Sequence, residues 1–358
     1  MKMLHKFKHV LRLTLLLQLC FLSNNATASV ILQYHHVSET MPAVTSISPA
    51  DFEAHMTHLK QNNFNVISLP DMLSQLKKGE SLVDNTVAIT FDDGYKNNYT
   101  TAAPILEKFN FPYTIFVNPK MIDEKKSYVM TWQQIRELTK KGATIANHSA
   151  EHLYLHQKLE NETLIQWQDR IKQDLIQSEE RIKQETGHNY HYLAYPYGEF
   201  NHELQNIIKE LGFIGIGQHS GAVGIHSDFS RLPRFPASGI YANLKTLKTK
   251  LKSLPFNIVA LGNGESVTNS SQPSLKMQLA VKDFYKSQFA CYVSGQGKAN
   301  INWLDGKTAE SGLADNIKSV EISPEKPLGK GRSRYNCTAP SISKKGHFYW
   351  FSQPWVVK

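Results

Sequence analysis

The chain is 358 residues long, with 41% hydrophobic and 20% charged residues and a formal net charge of +9. That length suffices for one large α/β domain and a smaller second one, and the composition excludes a disordered or collagen-like chain. The positive surplus is spread along the sequence without a dense basic block, which argues against a nucleic-acid partner and fits, weakly, an anionic envelope surface.

The first segment, "MKMLHKFKHVLRLTLLLQLCFLSNNATA", has a basic beginning, an apolar middle from Leu11 to Leu22 and an "ATA" ending at Ala28. These features predict a secretory signal over residues 1–28. Its cations Lys2, Lys6, Lys8 and Arg12 supply four of the nine surplus charges. Cys20 does not make a lipobox, because Gln18 and Leu19 are poor residues at the positions before it. No later run is apolar enough to span a bilayer once the signal is removed. An exported protein, periplasmic or secreted, is expected. Cys291 and Cys337 are then the remaining cysteines. An oxidising compartment predicts a disulfide between them that closes a long loop, with free thiols as the alternative.

Residues 29–255 alternate strand-like and helix-like runs. "VILQYHHV", "FNVISL", "TVAITFDD", "YTIFVNP", "ATIANHS", "HYLAYPYG" and "FIGIGQHSG" are short and β-rich. Between several of them lie helical patterns such as "TWQQIRELTKKG", "LIQWQDRIKQDLIQSEERIKQETG" and "NHELQNIIKELG", two of which stop at Gly142 and Gly212. Seven strands interleaved with helices predict an α/β fold, a distorted (β/α)7 barrel with a parallel sheet. Residues 256–358 carry short alternating stretches punctuated by Gly, Pro, Ser and Asn, which predict a small accessory β-sandwich. Its aromatics Phe348, Tyr349, Trp350, Phe351 and Trp355 suit either a sugar-stacking platform or a core, and core is the better reading for most of them.

Barrel strands hold their chemistry at one end, and "AITFDDG" ends a strand with two adjacent carboxylates, Asp92 and Asp93. Asp-Gly is also ordinary turn chemistry. Two strands later "ATIANHSAEH" ends with His148 and His152, whose i, i+4 spacing sets both imidazoles on one face if a helical turn follows the strand. One carboxylate with two imidazoles is a mixed N/O set suited to a divalent ion, Zn2+ first and other late first-row metals behind it, with positions left open for water and substrate.

Taken together, "TFDDG", "HSAEH" and "YPYG" resemble the first three motifs of the polysaccharide deacetylase family, the NodB-homology carbohydrate esterases. The resemblance covers roughly Val30 to Leu254. It implies a NodB-type barrel in which Asp92 is the general base, while Asp93, His148 and His152 bind the metal. The third motif implies that the turn at Pro196 and Gly198 directs the backbone N–H of Tyr197 at the oxyanion. Members commonly carry an arginine that positions the base, two residues before the motif's proline, where this chain has Ala194; Arg231 or Arg234 in "RLPRF" could reach in from a later loop instead, and Arg234 is also counted with Pro196 and Tyr197 as an oxyanion or substrate-binding residue. The usual Leu-x-Leu-His ending that provides the general acid is also missing. "LQYHHV" resembles instead the Tyr-His opening of poly-β-1,6-N-acetylglucosamine deacetylases, which selects His35 as the acid, sets His36 on the opposite face, and leaves His219 and His226 as substitutes.

The implied activity is metal-dependent N-deacetylation of an N-acetylglucosamine polysaccharide, poly-N-acetylglucosamine first and peptidoglycan or chitin oligomers behind it. The rival is a catalytically weak glycan-binding envelope protein, whose main support is Ala194. Oligomeric state is not legible in the sequence.

Overall fold

The computed structural model describes residues 27–262, 264–304 and 316–358, so the predicted signal up to residue 26 lies outside the described residues. Seven of the eight strands in the first unit's sheet follow one continuous path: β1 Ser29–Tyr34, β2 Thr86–Phe91, β3 Thr114–Val117, β4 Thr144–Asn147, β5 Tyr192–Ala194, β6 Ile214–Ile216 and β7 Phe235–Pro236. They lie side by side in the order β7-β1-β2-β3-β4-β5-β6, every pair parallel. A parallel bridge from Ile216 to Leu232 joins β6 to the segment entering β7, so the sheet curls back on itself. β1 and β2 are buried along their whole length, as strands covered on both faces must be, and this explains their unbroken apolar runs.

The predicted strand "FNVISL" shrinks to Asn65–Val66 beside the start of β2. Ser68 caps the next helix, Leu69–Lys77, and Pro70 sits in its first turn, so the helix start cuts the strand short. The seventh barrel strand comes instead from "RLPRF". Helices on the outside are set by their ends. Capping boxes at Thr131 with Gln134 and at Thr163 with Gln166 start Trp132–Lys140 and Leu164–Thr186. The longer helix buries Trp167, Ile171, Leu175 and Ile182 at helical spacing.

Two antiparallel-based sheets follow. One contains Ala290–Val293, Gly331–Pro340 and Phe348–Val357; the other contains Ile258–Leu261, Leu275–Ala280, Asn300–Leu304 and Ile317–Ser323. Their facing side chains, among them Met277, Leu279, Val320, Ile322, Tyr335 and Trp355, form one core. The strand Ser253–Leu254, on the barrel side of the expected boundary at 255, already pairs with Phe348–Tyr349 in this sandwich. Cys291 and Cys337 oppose each other on neighbouring strands and form a disulfide. Closing a loop of 46 residues' separation limits the unfolded chain by about 4 kcal/mol in the chain-entropy picture. Of the terminal aromatics, Tyr349 and Trp355 are core, Trp350 packs edge-on against Phe235 of β7 at 5.3 Å, and Phe348 is exposed.

Candidate metal centre and carboxylate pair

Asp92 continues the β2 ladder, its N–H donating to the Tyr34 carbonyl at 3.0 Å. Its side chain is fully buried. Asp93 and Gly94 then adopt φ of 70° and 61°, so the chain turns abruptly and the second carboxylate rises above the first. A non-glycine residue in the left-handed region costs of order 1 kcal/mol and marks a segment whose geometry is imposed.

Arg234, just before β7, lies fully buried beneath Asp92. Its Nη1 and Nη2 donate to Oδ1 and Oδ2 at 2.7 and 2.8 Å, while Nε donates to the Gly217 carbonyl and Nη1 also to Thr90. Gln33 adds a third donor at 2.7 Å from Oδ2. Burial pushes the Asp92 carboxyl up, but Arg234, with His148 and His35, outweighs it and holds the carboxyl down at about 2. Arg231 goes elsewhere: it lies over Phe200 and donates to Gln353, tying the sandwich to the barrel.

Past β4, His148 keeps the strand ladder, its N–H donating to the Val117 carbonyl, and its Nδ1–H donates to the Ala194 carbonyl at 2.7 Å. A carbonyl only accepts, so Nδ1 carries a proton, and in the neutral ring Nε2 is the atom that offers a lone pair. That Nε2 is 3.2 Å from Asp93 Oδ1, and His152 Nε2 is 3.3 Å from the same oxygen. The expected helical turn between the two histidines is absent. Ser149 and His152 take φ of 65° and 59°, and the loop is clamped by side chains. Asn118 donates to the His148 and Ser149 carbonyls, Asn147 accepts from the Ser149 N–H, Asp174 accepts from the Ala150 N–H, and Ser149 Oγ accepts from the His152 N–H. One ligand atom each from Asp93, His148 and His152 lie within 4.8 Å of one another. Three acceptors turned inward repel unless a cation sits among them, so this donor set fits a divalent ion. Burial, with His148 beside it, lowers His152 to about 4, which keeps its ring neutral at pH 7.

His35 stands over the pair, Nε2 3.9 Å from Asp92 Oδ2, with its side chain 17% exposed. His36 points away, stacked on Tyr95 at 3.6 Å and bonded to Asn97. Tyr197, at φ 61° in the Pro196–Gly198 turn, packs its ring against His152 at 4.4 Å. Two histidines lie elsewhere. His219 is buried beside Phe200, and His226 lines a cavity of about 330 Å³ with Leu82, Phe256, Phe284 and Tyr349. That cavity reaches Thr27, where β1 begins, and so lies at the opposite end of the barrel from the carboxylates.

Gln33 and the clamp made by Asn118, Asn147 and Asp174 were missed by sequence reasoning. Gln33 carried a usable signal: two residues before His35, it shares that side chain's face of β1. The clamp carried none, because its members come from three different elements.

The family description "Polysaccharide deacetylase" matches residues 79–216, which include Asp92, Asp93, His148, His152, Pro196 and Tyr197 but neither β1 nor Arg234. The Bacillus subtilis (strain 168) protein YxkH, named for polysaccharide deacetylation, is 29% identical over 193 residues, 54% of this chain and 65% of that one. The poly-beta-1,6-N-acetyl-D-glucosamine N-deacetylase of Escherichia coli (strain K12) is 22% identical over 256 residues, 61% of this chain and 37% of that one. The chain thus spans less than two thirds of the length of either relative. Among solved structures, the Streptococcus pyogenes deacetylase PplD in complex with acetate shares the fold, with a TM-score of 0.57 at 21% identity over 63% of this chain and 99% of that one. Residues 79–216 thus match the polysaccharide deacetylase family, and the chain is similar to that family over this domain.

Proposed function

We propose that this protein removes N-acetyl groups from an N-acetylglucosamine polysaccharide, with one divalent ion, zinc first, held by Asp93, His148 and His152. The observation that carries this reading is the pairing of that three-ligand cluster with a buried, ionised Asp92 gripped by Arg234. A bound ion would supply a Lewis acid that polarises the acetamide carbonyl and acidifies water. The remaining tasks fall to the chain's own groups. Asp92 takes the proton of the attacking water, its orientation fixed by Arg234 and Gln33. The Tyr197 N–H, presented by the Pro196–Gly198 turn, meets the charge developing on the carbonyl oxygen. His35 delivers the proton without which an amine is a very poor leaving group, and its place above Asp92 and its partial exposure suit that role better than the buried His36 and His219 or the distant His226.

Poly-β-1,6-N-acetylglucosamine is the first candidate polymer, supported by the E. coli relative's name and by the His35 opening on β1. Export to the periplasm or beyond is supported by the signal-like leader and the disulfide; no helix among the described residues is long and apolar enough to cross a membrane. The glycan-binding alternative rested on Ala194, and the guanidinium that Arg234 supplies counts against it. Acetate release from defined β-1,6- and β-1,4-linked N-acetylglucosamine oligomers tests the reading. Release that stops with chelator and returns with zinc is expected; no release from any oligomer after metal loading would overturn it.

A further inference from the structure

Beside the metal cluster, the barrel mouth carries a second constellation, made of rings. The Tyr197 ring that meets His152 on its edge is stacked face to face with Tyr154, at 4.1 Å and 13° between planes. Arg332, from the sandwich strand Gly331–Pro340, lies over Tyr197 at 5.2 Å from its centre and donates Nε to the buried carboxylate of Glu199 at 2.5 Å. Tyr197 is therefore fixed by its turn, by Arg332 and by His152, and it backs a ring that is open: Tyr154 is 39% exposed. A stacked pair serving only the core would hide both rings. An outward tyrosine face held rigid two rings from His152 offers the flat, electron-rich apolar surface on which the C–H face of a pyranose packs.

We propose that Tyr154 is a sugar-binding platform for the pyranose next to the one that reacts, and that Arg332 makes the C-terminal sandwich part of this subsite by bracing Tyr197 behind it. The proposal rests on the deacetylase reading for what the neighbouring unit undergoes, but not for the binding itself. Its ligand class is an oligomer of N-acetylglucosamine of at least two units, one at the metal cluster and the next on the platform.

Calorimetric titration of the full metal-loaded chain tests it, in an Asp92→Asn background so that the probes are not consumed, with β-1,6- and β-1,4-linked N-acetylglucosamine tetramers. Tyr154→Ala should weaken binding of at least one tetramer by about 3- to 10-fold, Tyr154→Phe should bind as the parent does, and Arg332→Ala should show a smaller loss in the same direction, all with unchanged metal content. Parent-like binding of both tetramers by Tyr154→Ala, a parent that binds neither, or a loss of metal alongside the loss of affinity would each overturn the platform. Tetramer binding that depends on Tyr154 in a chain whose wild type releases no acetate would leave the platform standing and remove the deacetylase reading. Acetate release with no dependence of binding on Tyr154 would do the reverse.

Discussion

Asp92 is a buried carboxylate held ionised, and the main cause is one planar side chain. A lone carboxylate at that depth would take up a proton. Arg234 prevents this with two parallel hydrogen bonds, a geometry lysine cannot reproduce. Removing the guanidinium takes away the largest opposition to burial and leaves His148 and His35, so Arg234→Gln should raise the Asp92 pKa from about 2 and move the acid limb of the pH–activity profile upward. Arg234→Lys, which keeps the charge but not the fork, should move that limb less while still lowering turnover. An unmoved acid limb in Arg234→Gln would separate Asp92 from the titration that limits activity. The sequence showed that "FDDG" ends a strand and that "RLPRF" offers two candidate cations, but the choice between them depends on which face the closing segment turns inward. Arg234 follows Leu232, which bridges to β6, and turns to Asp92, whereas Arg231 turns to the sandwich.

At the scale of elements, the strands that carry the acids and the histidines were legible because buried parallel strands read as apolar runs and end where polar residues begin. The element between His148 and His152 was not, because their spacing fits a helical turn as well as the loop that forms. The loop wins through contacts from afar: its Ala150 N–H is held by both oxygens of Asp174, at 3.1 and 3.3 Å, from the helix Leu164–Thr186. Burial, with Glu151 adding to it, raises the Asp174 pKa from 3.8 to about 6. A carboxyl raised in the folded state favours folding below its unfolded pKa and loses that contribution as pH rises through the folded one. Asp174 therefore lowers stability progressively between about pH 4 and pH 6, by at most about 3 kcal/mol. Asp174→Asn, which can still accept the Ala150 N–H, should flatten the stability–pH curve across that window and be no less stable than wild type at pH 7. Chemical denaturation at several pH values measures this; an unchanged slope would contradict it.

Over the whole molecule, the alternation of the first two thirds and the β-rich texture of the last third were enough to foresee a barrel followed by a sandwich. What composition could not convey is how closely the two are joined: Ala28 and Leu254 sit in the sandwich core, Trp350 packs on β7, and Arg332 reaches the turn that carries Tyr197. Such contacts between distant segments leave no local pattern. The same holds for the site, whose parts come from β1, β2, β4, β5 and the approach to β7 and meet only because the sheet curls. The central claim is that this convergence divides its work, with Asp93, His148 and His152 holding a metal and Asp92 acting beside it. Metal content and acetate release, measured side by side on Asp92→Asn and His148→Ala, test it most directly. Asp92→Asn should keep about one equivalent of divalent ion while losing on the order of 10²- to 10⁴-fold in turnover, and His148→Ala should lose both; full turnover in Asp92→Asn, or a wild-type enzyme that is active yet free of metal under every loading condition, would contradict the account.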